Sequence, residues 1–178
     1  MKETLVKRAA RCCVWIALSC IVAVPSFSAV YIYVNGLTGE AADKDHVGWS
    51  NVASWSFEIG GADALRRTPA FTEILIVKEM DSMSNGLAEA AIEGRVFSDV
   101  SLHMTASYTD IGRVVYYEIV LTNVRVASYR VEGMGGDGAD PPIEEMTLSF
   151  EQATIKYHQN NGETGARKKT FEFSWSAG

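Results

Sequence analysis

Asp43-Lys44-Asp45-His46 sets two carboxylates and an imidazole within one short run. These are the residue types that ligate a metal ion or move a proton in acid–base catalysis. The same composition describes a polar loop leading into a strand. His103 alternates with Leu102 and Met104, which points it to solvent, and His158 ends an alternating run beside Gln159-Asn160-Asn161-Gly162. No two histidines share a local metal-ligand spacing, and no Ser, His and Asp set stands out. The sequence therefore assigns no catalytic, cofactor-binding or metal residue and favours a protein that is not an enzyme; a hydrolase built on Asp43 to His46 is the enzymatic alternative.

Two glycine motifs share one loop. Gly133-Met134-Gly135-Gly136-Asp137-Gly138 fits G-x-G-x-x-G, whose glycines bring backbone close to a pyrophosphate at a helix N-terminus. Here Asp140-Pro141-Pro142 and then a strand follow, so a turn is expected instead. Gly135 to Asp140 also reads as a single G-G-x-G-x-D calcium repeat, and such repeats bind only when several stack. Trp49, Trp55 and Trp175 lie in or beside alternating apolar runs and read as core or interface aromatics. Arg167-Lys168-Lys169 reads as a solvated turn tip.

The elements that would position these residues follow a period of two, as half-buried strands require. Tyr31 to Val34 opens a first strand that stops at Asn35-Gly36, and Val52 to Ile59 forms a second with Trp55, Phe57 and Ile59 on one face. A third spans Phe71 to Met80, and Leu102, Met104, Ala106 and Tyr108 alternate in a fourth. From Val114 to Val131 the chain is long enough for one bent strand or two shorter ones. Val115, Tyr117, Ile119 and Leu121 share a face while Val124 and Val126 fall on the other, which predicts a bulge near Thr122-Asn123. The same parity change recurs across Glu151-Gln152, between Met146, Leu148, Phe150 and Ala153, Ile155, Tyr157. Phe171, Phe173 and Trp175 form a last alternating strand. Leu87, Ala88, Ala91 and Ile92 break the rhythm at helical spacing, with Ser84 as N-cap and Gly94 as stop. The expectation is an all-β fold with one short helix, a small β-barrel or sandwich.

The chain has 178 residues, 47% of them hydrophobic, with a net charge of -6. That size supports one globular domain, and the acidic balance offers no basic surface to nucleic acid. Its first residues read as a targeting segment. Lys2, Lys7, Arg8 and Arg11 precede an apolar run from Val14 to Val24, and Pro25-Ser26-Phe27-Ser28-Ala29 supplies small residues for cleavage after Ser28 or Ala29. Eleven residues fall short of the roughly 20 that span a bilayer. A buried or anchoring helix is the alternative, as is a lipid anchor on Cys20, against which Ala17-Leu18-Ser19 is a weak lipobox and Ile21 to Val24 stays apolar. The expected organisation is a signal peptide over 1–28 and one domain over 29–178. Removal of the leader takes Cys12, Cys13 and Cys20 with it and leaves 12 basic and 21 acidic groups of the original 16 and 22. The processed chain then has no thiol chemistry and no stable membrane anchor.

Several segments, in order, resemble the haemolysin-coregulated protein (Hcp) family of type VI secretion. Tyr31 to His46 is similar to its opening strand, Gly-x-x-Gly-Glu turn and Asp-Lys-x-His stretch, and Ser54-Trp55-Ser56-Phe57 to its Trp-containing strand. Thr72 to Lys78 resembles the strand before the family's single helix, and Val115 to Val124 and Glu144 to Tyr157 its two most recognisable strands. The resemblance covers residues 30–176. It implies an Hcp-like β-barrel with an attached helix, needing no cofactor, that forms hexameric rings, stacks as an inner tube, and works with secretion-system components or small effector proteins. The leader implies a secreted or periplasmic protein. A true start near Val30 would instead imply a cytoplasmic one exported by the secretion machine. The leader and the loop Gly60 to Arg67, read as shorter than the family's Gly-rich loop, motivate the alternative of a periplasmic or secreted binding module that keeps the barrel without the tube.

Overall fold

The structure, a computed structural model, describes residues 28–58, 73–108, 111–136 and 140–176. Residues 1–27, where the leader is expected, and residues 59–72, with Ile59, the expected loop Gly60 to Arg67 and the expected strand start at Phe71, lie outside the described residues. Among the described residues, nine strands and one helix follow in order: β1 Ala29–Val34, β2 Ser50–Val52, β3 Ser54–Phe57, β4 Glu73–Glu79, α1 Ser84–Glu93, β5 Val96–Tyr108, β6 Gly112–Glu132, β7 Ile143–Ser149, β8 Gln152–Asn160 and β9 Arg167–Ser176. All pairings are antiparallel. The all-β class with one short helix is as the sequence patterning requires.

The wall closes on itself. β1 pairs β5, β5 pairs β6, β6 pairs β7, β7 pairs β4 and β4 pairs β3. The circuit is completed where β2 pairs β1 and the Ala53 N–H between β2 and β3 donates to the Val77 carbonyl at 2.8 Å. What reads in sequence as one strand from Val52 to Ile59 is thus two short ones, because Ala53 is where the chain changes partner from β1 to β4. β8 and β9 branch off β6 as an arm.

β6 is a single strand of 21 residues that serves both walls. Residues 117–122 pair β8, whereas residues 125–132 pair β7. Asn123 sits at the change with φ 54, a left-handed conformation that Asn tolerates better than most residues. The expected parity change at Thr122-Asn123 is therefore real, but the expected bulge is not there: the β5–β6 register runs unbroken past it, and β6 shifts register instead against β5 between Met104 and Thr105 and against β7 between Val126 and Ser128. The second parity change falls between β7 and β8 at Phe150 and Glu151. The alternation expected through Leu102, Met104, Ala106 and Tyr108 does not hold: the register shifts between Met104 and Thr105, and Thr105 is the buried residue.

The core lies between the walls and contains Ile32, Ile74, Leu102, Ile119, Leu121, Met146 and Leu148, all fully buried. α1 seals it with Leu87 and Ala90, and Ala91 packs beside them; of the expected set 87, 88, 91 and 92, Leu87 and Ala91 face the core, Ala88 is half-buried, and Ile92 is 88% exposed, so the inward stripe centres on 84, 87 and 90. Ser84 is the first helical residue and not the cap: its Oγ accepts the Asp81 N–H at 2.9 Å. Gly94 ends the helix in the left-handed region, as expected.

The sequence pattern gives little sign of a buried ionic network beneath α1. Lys78 and Glu144 are both fully buried, Nζ to Oε1 being 2.7 Å. The other two Lys78 donors reach Asp81 Oδ1 at 2.8 Å and the Glu79 carbonyl at 2.7 Å. Tyr129 donates to the second Glu144 oxygen at 2.5 Å, and Ser50 donates to Asp81 Oδ2 at 2.5 Å. With every charge answered, burial is tolerable, and the network ties β4, β7, β6 and the start of α1 to one point.

Candidate functional site

One row of side chains crosses the outer wall. Tyr31 on β1 pairs His103 on β5, His103 pairs Glu118 on β6, Glu118 pairs Lys156 on β8 and Lys156 pairs Glu172 on β9. Their strand neighbours Ile32, Leu102, Ile119 and Ile155 belong to the core, so period two puts this row on the far face. Lys156 donates to Glu118 at 3.2 Å, and His158 Nε2 lies 3.6 Å from the other Glu118 oxygen. His158 is buried, with Nδ1 2.9 Å from Thr170 Oγ1. Burial, helped by the Arg167 charge, lowers its pKa.

The loop between β1 and β2 folds back over this face. Gly39 N–H donates to Gly48 O and Ala41 N–H to Trp49 O, both at 2.8 Å. A Cβ at residue 39 would lie 2.4 Å from the Trp49 carbonyl oxygen, which is why glycine stands there. The Asp43-Lys44-Asp45-His46 run divides: Lys44 and Asp45 are exposed, while His46 is 2% exposed. His46 Nδ1 is 2.7 Å from Asp43 Oδ1, and its Nε2 is 3.0 Å from His103 Nδ1. Tyr31 stacks on His46 at 4.1 Å, and Trp49 lies 4.4 Å from the His103 ring.

The electrostatics follow from this cover. Burial pushes the Asp43 carboxyl up, but the His46 hydrogen bond, the Asp45 N–H and the Arg113 charge together outweigh it and leave the group below its usual range. His103 is lowered to about 4, chiefly by burial, with Glu118 opposing. His103 is on the non-core face, as its parity requires, but it is only partly exposed there, because a loop 57 residues earlier in the chain covers part of its ring. Both His46 nitrogens are engaged in holding that roof, so the hydrolase reading finds its imidazole already occupied.

The β8–β9 arm offers a different surface. Among the described residues β9 pairs only β8, so none of them answers the backbone groups of its other edge. Trp175 packs on Phe57 at 5.6 Å and edge-on to Phe150 at 6.1 Å, which anchors that end of the arm to the core. Toward the other end the alternating residues outrun the barrel: Phe173 is 58% exposed, and Phe171 and Tyr157 are each 47% exposed. Arg167-Lys168-Lys169 is not a turn tip but the exposed start of β9, with Lys169 Nζ 4.4 Å above the Phe171 ring. The turn itself comes earlier, where Asn161 N–H donates to Ala166 O.

The remaining motifs fall into place around these surfaces. Gly133 to Gly136 follow β6 without forming a helix, and residues 137–139 of the glycine run lie outside the described residues. Trp55 packs against the core beside Tyr117 at 6.2 Å. Among the described residues, no group of three or more His, Cys, Asp or Glu is placed to hold a metal ion, and no helix is long and apolar enough to cross a membrane. The cysteines lie outside the described residues.

A family profile described as "Type VI secretion system effector, Hcp" matches residues 31–157. No curated protein matches the sequence. Among solved structures, one described as a type six secretion system protein is 24% identical, covering 83% of this chain and 94% of its own, with a TM-score of 0.73. Hcp1 from Salmonella typhimurium is 18% identical over 84% of this chain and 95% of its own, TM-score 0.69. A type VI secretion system effector from Yersinia pestis is 18% identical over 83% and 98%, TM-score 0.63. At these identities the structures speak to the fold.

Proposed function

We propose a structural role for this chain, which belongs to the Hcp family of type VI secretion proteins: copies of it associate side by side into hexameric rings that stack as an inner tube or carry small effector proteins. The observation that supports this reading is the β9 edge. Among the described residues the barrel closes its own circuit and leaves β9 open, flanked by exposed Phe171 and Phe173. A free edge beside an apolar face invites aggregation unless another chain covers it, and a closed ring covers every copy's edge at once. No catalytic step enters this role.

Negative-stain electron microscopy and light scattering of the purified processed chain test it. Annular particles are expected for the wild type, and single barrels for the Phe171→Glu, Phe173→Glu double variant. A wild-type protein that stays monomeric at every concentration would overturn the reading.

We also propose that residues 1–28 act as a cleaved leader and residues 29–178 as the working domain. In support, β1 begins at Ala29, whose carbonyl accepts a hydrogen bond from Thr105 Oγ1 at 3.0 Å. Cleavage after Ser28 would leave the barrel intact and direct the product to a periplasmic or secreted destination. N-terminal sequencing of the native protein, returning Ala29 or Val30 rather than Met1, is the expected result.

A further inference from the structure

We propose that His46 and His103 form an acid-released latch, which holds the 39–49 segment over the outer wall and frees it when both rings become imidazolium. The inference concerns a different face from the β9 edge and does not depend on ring formation.

Proton counting carries the argument. Asp43 Oδ1 lies 2.7 Å from His46 Nδ1 and takes the proton there. That leaves His46 Nε2 to face His103 Nδ1 across 3.0 Å, a gap that one proton bridges. With both rings neutral, His103 donates to His46. One added proton is accommodated, since an imidazolium at His46 donates to both Asp43 and a His103 whose remaining proton sits on Nε2. A second has no such place. Two N–H groups would then point at each other, and two like charges would share a covered site.

The surrounding charges do not rescue the doubly protonated state. Asp43 is already shared between His46 and Arg113, whose Nε is 3.6 Å away. Glu118 on β6 faces His103, but it is engaged by Lys156 and lies 3.6 Å from His158, both on β8. Tyr31 on β1 stacks on His46 as a neutral ring, its own pKa raised chiefly by burial. The low pKa of His103 agrees with this balance.

The tip of the segment is placed to move on a fixed base. Its ladder from Gly39 to Gly48 and Ala41 to Trp49 is internal, and its base is held separately, by Glu40 accepting the Ser82 N–H at 3.0 Å and by Ser82 donating to the Thr38 carbonyl at 2.8 Å. Release at the tip would uncover Tyr31, Tyr33 and His103 as an aromatic surface on a barrel whose core is untouched.

Hydrogen exchange of the full processed chain tests the latch. Moving from about pH 7.5 to about pH 4.5, amides of His46 and Trp49 should exchange roughly 50-fold faster after correction for intrinsic rates, the factor expected for one ring moving from a pKa near 4 to its free value. Amides of β4 and β7 should stay protected, and His103→Gln should abolish the acceleration, because the glutamine amide can still meet His46 without taking a proton. Unchanged exchange in the wild type, parallel loss of β4 and β7 protection, or equal acceleration in the variant would overturn the proposal. Should the variant fail to fold, NMR titration of the wild type decides: the His103 ring signals and the exchange of residues 46 and 49 must share one midpoint, and separate midpoints refute the latch.

Discussion

Asn123 donates its side-chain amide to the Glu151 carboxylate at 2.7 Å, joining the two places where the chain leaves one wall for the other. The backbone reinforces the link, since Glu151 N–H donates to the Thr122 carbonyl at 3.0 Å. The left-handed Asn123 and the short β7–β8 corner are thus one joint.

Substitutions at Asn123 separate its two tasks. Asn123→Gly keeps the backbone conformation and loses only an exposed side-chain bond, a cost of at most about 1 kcal/mol. Asn123→Val forces a β-branched residue to φ 54 and should cost about 1–3 kcal/mol more. Urea denaturation reads both, and equal midpoints would mean that the conformation at residue 123 does not matter.

The buried network beneath α1 predicts strong coupling. Lys78→Met strands Glu144 and Asp81, and Glu144→Leu leaves Lys78 with a single carboxylate, so each should lose about 3–5 kcal/mol. The double variant should lose less than the sum, by about 1–3 kcal/mol, because each single change already breaks the shared pair. Additive losses in guanidinium denaturation would show that the two charges do not depend on each other.

Global stability should fall with acid, beginning well above the carboxylate range. His103 has a lowered folded pKa of about 4, so its contribution is complete above its unfolded value of about 6.5 and is lost as pH drops toward about 4, where the unfolded chain binds the extra proton. His158 is shifted the same way. Asp81, pushed up by burial but lowered on balance by Lys78 and Ser50, adds a further loss below about pH 4. After discounting for solvent screening the His103 share is on the order of 1 kcal/mol, limited by the cost of opening the 39–49 segment. Urea midpoints of wild type and His103→Gln at about pH 7.5 and about pH 5 measure it; parallel declines would remove His103 from the account.

The arm should show a gradient of sensitivity. Phe171→Ser and Phe173→Ser touch residues that overhang the barrel and should change monomer stability by no more than about 0.5 kcal/mol. Trp175→Ser removes the ring packed on Phe57 and Phe150 and should cost about 2–4 kcal/mol. Thermal melts of dilute protein compare them, and a uniform effect along β9 would contradict this division of the arm.

How much could be read from residue order alone depended on distance along the chain. The two parity changes, at Asn123 and at Glu151, are local events and were legible, as was Gly94 at the end of α1. The buried pair was signalled faintly: Lys78 continues the inward series Ile74 and Ile76, and Glu144 precedes Met146 and Leu148 at the same parity. Each alone looks like a strand end reaching water, and only register brings them together. For His103 the parity was right, but alternation says which face a residue takes and not what covers that face. The same limit applies to Phe171 and Phe173, whose pattern is that of a buried strand although among the described residues no wall stands opposite them.

Because β6 runs unbroken through both walls, a force applied to one reaches the other along covalent bonds and needs no help from side-chain packing. Across the barrel the situation differs, for only the three residues of β2 and the four of β3 complete the circuit there. The circuit is accordingly widest along β6 and narrowest at Ala53, where one backbone hydrogen bond to Val77 carries it from β1 to β4.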